Sequence, residues 1–369
     1  MSRVSWRTFR ASIVTGASDT DPSAIVTCTQ AGASAGFSLL WLMPLTTALL
    51  IWLDRLAVRI GFERQEALSI LARYRVGTPL AALLGLMLVV NNEILLGADI
   101  AGVANLLADL TGLPYPVTTL ACVAFPAALL VGGSFAAVRR VLFLLTPLYA
   151  LYIFAAIVAR PSLSSVAGGF LPSVPGSKAE LLTIVGVVGA ILTPYVFIWQ
   201  AEDAKQLARR HPGMDEPGHG AAVGMVYANI VLFAVMVASA AAIHRSGDSG
   251  LQLESMRQAA DALEPLLGGG AFVIFTIATL ASALIATPVI VAVIGFTVAQ
   301  TRGKRYGLNW PVSAAKEFYG VCLVALAGAG GFALLEVDPV GPLFWAQFIS
   351  GIVLVPLAVL LVIESRKRP

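Results

Sequence analysis

"GASDTDPSAIVTCTQAG" runs from Gly16 to Gly32, inside the first strongly apolar region of the chain. It puts Asp19, Asp21 and Pro22 where a membrane helix should exclude all three. A carboxylate near the bilayer centre costs at least about 2.5 kcal/mol on insertion scales. Proline removes a backbone N–H and clashes with the preceding turn, and it favours extended geometry at residue 21. Together these predict local unwinding around Asp21-Pro22. Unwound backbone at that depth is tolerated only around a cavity or a site, which makes Asp21 a functional candidate.

The surroundings are those of a membrane protein. The 369 residues are 58% hydrophobic and only 12% charged, with a mean hydropathy of +0.84; a soluble domain carries about 25% charged residues. The formal net charge of +3 says little, because the placement of the basic residues matters more. Cys28, Cys122 and Cys322 sit in separate apolar segments, without metal-ligand spacing or a disulfide framework, and read as buried thiols. Arg3, Arg7 and Arg10 precede the first apolar run as in a signal peptide, but no small-residue cleavage site follows, so a retained first span is expected.

A span needs about 20 mostly apolar residues. Segments 11–34, 37–58, 79–107, 116–137, 140–160, 179–203, 218–244, 268–300, 314–334 and 340–363 qualify. The expected fold is an all-α polytopic membrane protein, one transport domain over 1–369, with ten transmembrane helices. Of the connections, 161–178, 204–217 and 245–267 are the longest, and "LQLESMRQAADALEPL" in the last could form a short amphipathic helix outside the bilayer. With the N-terminus in the cytoplasm, inside loops collect Arg55, Arg59, Arg73, Arg75, Lys205, Arg209, Arg302, Lys304 and the C-terminal Arg366, Lys367 and Arg368. Outside loops keep only Arg160, Lys178, Arg245 and Arg257, beside Asp248, Glu254, Asp261, Glu264, Glu336 and Asp338. This bias predicts a multi-pass protein of the inner or plasma membrane with both termini cytoplasmic.

Ten helices divide into two fives, 11–160 and 179–363, and an odd number forces the second half to enter from the opposite side. Inverted repeats of this LeuT-like kind carry interrupted segments at matching positions. Helix 6, "IVGVVGAILTPYVFIWQAEDA", is interrupted near Thr193-Pro194, matching the break in helix 1.

These residues resemble a known family. "GASDTDPSAIVTCTQAGASAGFSLLW" is similar to the first-helix signature of Nramp-type divalent metal transporters, which has Asp-Pro-Gly-Asn, a Gln-Ala-Gly-Ala run and Leu-Leu-Trp. "GAILTPYVF" resembles their sixth-helix motif, where a methionine precedes Pro-His. The resemblance covers essentially the whole chain, though some members have additional helices. It places the family's Asp and Pro on Asp21 and Pro22, and its carbonyl-donating alanine on Ala190. Its Gly and metal-ligating Asn fall on Ser23 and Ala24, its metal-ligating Met on Thr193, and its His on Tyr195. This pattern, with an added acid at Asp19, is similar to the Nramp-related magnesium transporter branch.

The chemistry points the same way. A thioether favours transition metals; Thr193 in its place leaves oxygen donors from Asp21, Asp19, Thr193 and backbone carbonyls. Mg²⁺ takes oxygen ligands and sheds water reluctantly. The expected cargo is a partly hydrated Mg²⁺, with Mn²⁺ as the alternative. Asp21 is the expected main counter-charge; Asp19 either binds through water or draws cations to the mouth. On helix 3, Asn91, Asn92, Glu93 and Asp99 suggest a polar stripe. Glu93 is either a packing residue or part of an ion or proton path. His211, His219 and His244 lie in loops or at helix ends, so weak or absent proton coupling is expected. The resemblance gives Gln347 a role in closing the site. Asn229 is expected to make an interhelical hydrogen bond.

Rival readings are an organic-substrate transporter of the same plan, a channel or ion sensor, and a membrane enzyme. Two aspartates at the break argue against an anionic substrate. No phosphate loop, G-x-S-x-G or His/Cys cluster supports an enzyme. The expected partners are a divalent cation and the lipid bilayer, with no nucleic acid and no cofactor, and a monomer is expected.

Overall fold

A computed structural model describes all residues except 1–15, 17–18, 133–139, 141–142, 211–219, 245–252, 254, 262–263, 265–267, 336–337 and 367–369. His211, His219, Arg245, Asp248, Glu254, Glu336 and parts of spans 1, 4, 5 and 7 fall outside the described residues. The rest is helical, as backbone in hydrocarbon must satisfy its own hydrogen bonds. The main helices are α1 Pro22–Ala35, α2 Leu42–Arg64, α3 Leu68–Thr111, α4 Tyr115–Gly132 and α5 Ala150–Val158. Then follow α6 Lys178–Ile191, α7 Pro194–Arg210, α8 Gly220–Ala242, α9 Ala271–Thr301, α10 Lys316–Ala333 and α11 Val340–Ser365.

Every expected span carries a helix, and span 6 is the one divided in two, between α6 and α7. Six of the resulting stretches are long and apolar enough to cross a membrane on their own. Two of the exceptions have plain causes: residues 19–21 ahead of Pro22 are unwound, leaving α1 with only 14 residues, and the second half of α2 carries Asp54, Arg55 and Arg59. Large apolar side chains such as Trp52, Leu86, Ile157 and Val355 point outward. That suits lipid as the surrounding medium.

Two findings concern the connections. Residues 68–78 are helical, so α3 begins eleven residues before the expected start at 79; Gly77, at φ 79°, breaks it just ahead of Pro79. The left-handed conformation there is one that glycine adopts without strain. The segment expected to form a short amphipathic helix outside the bilayer does hold one, Met256–Asp261, and it packs on α9, α3 and α1. Leu253, Met256, Ala259 and Ala260 are buried, and the Leu253 N–H donates to Gln30 Oε1 at 2.7 Å. Its apolar face is satisfied by the protein itself.

Packing follows the two-fold plan. α2 lies along α7, and α8 lies along α1; α3 lies along α9; α3 meets α4 as α9 meets α10. Exchanging the two sets of five spans maps each of these contacts onto another in the group. Close crossings use small residues, as expected where helices associate by van der Waals fit. Gly61 abuts the Ala201 carbonyl, and Gly32 abuts the Met236 carbonyl of α8. Gly32 is thus part of an internal crossing rather than a free dimer face. Asn229 Nδ2 donates to Thr47 Oγ1 at 2.8 Å, the expected interhelical bond.

One end of the bundle is closed by a buried polar plug. Lys205 Nζ donates to Glu202 Oε2 and to the Tyr306 hydroxyl, both at 2.6 Å. Gln300 Nε2 reaches Glu202 Oε2 at 3.3 Å, and the Ser69 hydroxyl donates to Gln300 Oε1 at 2.7 Å. α7, α9 and the start of α3 are pinned together there.

Candidate cation site

Both breaks open as their sequences require. Residues 19–21 are non-helical, and Asp21 is the N-cap of α1 at φ −76°, ψ 165°. Its Oδ1 accepts from the Ala24 N–H at 2.6 Å, satisfying one of the helix's unpaired first-turn donors. In span 6 the helix stops at Ile191 and restarts at Pro194. Pro194 has no N–H to offer the Ala190 carbonyl one turn back, so that oxygen is released at the break. The expected interruption is present.

The two breaks face each other. The Thr193 hydroxyl donates to Asp19 Oδ1, and the Tyr195 hydroxyl donates to Asp21 Oδ2 at 3.2 Å. From α11, Gln347 Nε2 donates to Asp21 Oδ1 at 2.9 Å. The apex of the break is fixed separately. The Thr20 carbonyl accepts from the Tyr149 hydroxyl at 3.1 Å and from the Ser282 hydroxyl. With both lone pairs occupied, that carbonyl is no longer a free ligand. Asp19, Asp21, Ser23, Ala24, Ala190, Thr193, Tyr195 and Gln347 are all 0% exposed. None of these side chains reaches solvent.

Asp19 is buried and bonded to Thr193. The structure also brings in Asp99, noted in the sequence only as part of a stripe. Its Oδ1 accepts from the Ser23 N–H at 2.9 Å and the Ser23 hydroxyl at 2.6 Å. Glu93 is not brought in. It is half-buried on another face of α3, where its Oε1 lies against Gly328 of α10. Asn91 bonds Ser350 of α11 at 3.0 Å, tying α3 to the helix that carries Gln347.

The polar atoms left over are mostly acceptors. Asp19 Oδ2, Asp99 Oδ2, Gln347 Oε1 and Thr27 Oγ1 are buried without a hydrogen-bond partner. Among the described residues, no Lys, Arg or His bonds to Asp19, Asp21 or Asp99. Nor do three acid, Cys or His side chains converge into a ready-made metal cage among them. Separate carboxylates among neutral oxygens attract a cation without stripping it of every ligand it carries. His244 lies at the far end of α8, where its ring packs on Gly36 and Nδ1 is 3.3 Å from the Ala33 carbonyl.

An all-helical membrane bundle with two broken helices crossing at a buried acidic site is a LeuT-like polytopic membrane protein of the inverted-repeat kind. Residues 12–368 match the family model "Nramp: Natural resistance-associated macrophage protein-like", and the chain belongs to that family. It is 29% identical over 296 residues to the "Divalent metal cation transporter MntH" of Pectobacterium carotovorum, covering 73% of this chain and 66% of that one. The protein of the same name from Caldanaerobacter subterraneus is 31% identical over 229 residues, covering 59% and 50%. The chain thus spans between half and about two thirds of these relatives. Among solved structures, the manganese transporter of Eremococcus coleocola superposes with a TM-score of 0.68 at 18% identity, covering 99% of this chain and 80% of that one. Mhp1, a nucleobase-cation-symport-1 family transporter, superposes at 0.51 with 16% identity, covering 92% and 77%.

Proposed function

We propose that the chain is a secondary transporter of a divalent metal cation, with partly hydrated Mg²⁺ as the preferred ion. The observation that carries this is the donor set where the breaks meet. Asp19, Asp21, Thr193, Gln347 and the released Ala190 carbonyl offer only oxygen to an incoming ion. Hard cations match such donors; the soft thioether that would favour a transition metal is replaced by Thr193. The Mn²⁺ reading has its own support in relatives named as manganese and divalent metal transporters. Flux of Mg²⁺, Mn²⁺ and Ca²⁺ into liposomes decides between them: transport of Mn²⁺ without Mg²⁺ removes the hard-site argument.

Uptake is assigned weak or no proton coupling, because Tyr195 stands where the family has histidine and His244 is remote. The driving force is then the ion gradient and a negative-inside potential, worth about 4.6 kcal/mol per 100 mV for a divalent ion. A pH dye in the liposome lumen checks this, since acidification in proportion to uptake contradicts it. We assign both termini to the cytoplasm, the repeats to 11–160 and 179–363, and the working unit to a monomer.

Selectivity is expected to turn on one side chain. Thr193→Met restores a soft ligand and should raise the Mn²⁺ to Mg²⁺ flux ratio by about tenfold, the equivalent of about 1.4 kcal/mol of differential binding. A ratio unchanged within a factor of about two would place selectivity elsewhere.

A further inference from the structure

A second buried acid lies outside the site described above. Asp54, on the inner face of α2, is 0% exposed, and neither of its carboxylate oxygens closes a hydrogen bond. Its polar neighbour is the Gln200 amide of α7, whose Nε2 is also buried and closes no bond. The carboxylate oxygens are thus left open to a cation, with only the Gln200 N–H and the exposed Arg55 near them. A buried carboxylate without a close ion pair is a poor choice for packing, since an apolar side chain of similar size would serve better. The charged groups around it are few. Arg55 is its sequence neighbour and points outward. Asp19 lies within electrostatic range.

Position gives the acid a role. α7 starts at the broken site with Thr193-Pro194, and Gln200 is about two turns further along it. The plug of Glu202, Lys205, Tyr306 and Gln300 begins at the next level. Asp54 and Gln200 therefore lie between the site and the plugged end, on the side toward the Arg-bearing ends of α2 and α7. A cation leaving Asp19 and Thr193 in that direction meets Asp54 next. We propose that Asp54 is a second binding station for the transported divalent cation on the cytoplasmic side of the site. The proposal rests on the cation-transport reading above. The short distance between stations also carries a physical consequence: Asp19 and Asp54 repel when both are charged, so an ion shared between them moves easily.

The test is Mg²⁺ flux in liposomes, with Mg²⁺ binding to the purified chain measured by calorimetry, for wild type, Asp54→Asn, Asp54→Glu and Asp21→Asn. Asp54→Asn should bind the first ion within about threefold of wild type while saturating flux falls about tenfold or more. Asp54→Glu, which keeps the charge, should recover flux to within about threefold. Asp54→Asn transporting within about twofold of wild type overturns the station. Where Asp54→Asn does not fold, Asp54→Ser takes its place. If neither neutral variant folds but Asp54→Glu does, Asp54 is a structural residue and the proposal falls. No cation flux in the wild-type chain overturns the transport reading itself. Full flux in Asp21→Asn with none in Asp54→Asn overturns only the assignment of Asp21.

Discussion

Asp21→Ala should reduce Mg²⁺ flux by about a hundredfold or more. At an effective dielectric constant near 20, a single charge about 4 Å from a carboxylate gains about 4 kcal/mol, and every 1.4 kcal/mol is about tenfold. Alanine removes more than charge. It leaves the Ala24 N–H without its cap, worth about 1 kcal/mol, and strips the acceptor from Tyr195 and Gln347. Asp21→Asn separates these effects. Asparagine caps a helix as well as aspartate does and still accepts at one oxygen. It should therefore melt close to wild type yet transport no better than alanine. Flux in Asp21→Asn within about threefold of wild type would show that the negative charge at 21 is not what holds the ion.

The second large effect is expected at a residue that itself carries no charge. Gly189 lies one residue ahead of Ala190, where α6 crosses α11. A Cβ there would fall on the Gln347 carbonyl and 2.6 Å from the Gly351 N, both backbone atoms that cannot swing aside. Gly189→Val must push the two helices apart, at about 3 kcal/mol, the upper end of ordinary overpacking. The displaced helix is the one that carries Gln347, so its 2.9 Å bond to Asp21 is lost as well. Thermal unfolding in detergent should shift down, and flux should fall by about tenfold. Gly320→Val on α10, where a Cβ meets nothing within 4 Å, is the control expected to behave as wild type. Normal melting and flux in Gly189→Val would mean that the α6–α11 crossing is looser than its geometry.

The breaks were legible in the sequence because each rests on local penalties. Asp21-Pro22 combines a buried charge with a missing N–H, and no neighbour is needed to see the conflict. Asp99 was not legible as a site residue. Its partner Ser23 is 76 positions away, and helical periodicity gives a face without naming what it faces. Glu93 shows the same limit from the other side. It is one residue from the fully buried Asn92, but a single step turns a helix by about 100°, and that places it against α10. Asp54 lies in an apolar segment with Arg55 next to it, and the sequence does not show that the one is buried and the other exposed. The Met256–Asp261 helix had an amphipathic pattern that fits a membrane surface and a protein surface equally well; only the packing distinguishes them.

The surplus of unpaired acceptors around the buried site sets the relative ease of two journeys. With Asp19, Asp21 and Asp99 bonded only to neutral donors among the described residues, the empty carrier must either take uncompensated negative charge through a closed state or first pick up protons to cancel it. The loaded carrier passes through with that charge balanced. Swapping one ion for another across the bilayer should therefore outrun one-way filling: labelled Mg²⁺ should enter faster into liposomes already containing unlabelled Mg²⁺ than into empty ones. The protein would then behave less as a pump cycling through an empty return than as a shuttle that prefers never to travel without a passenger.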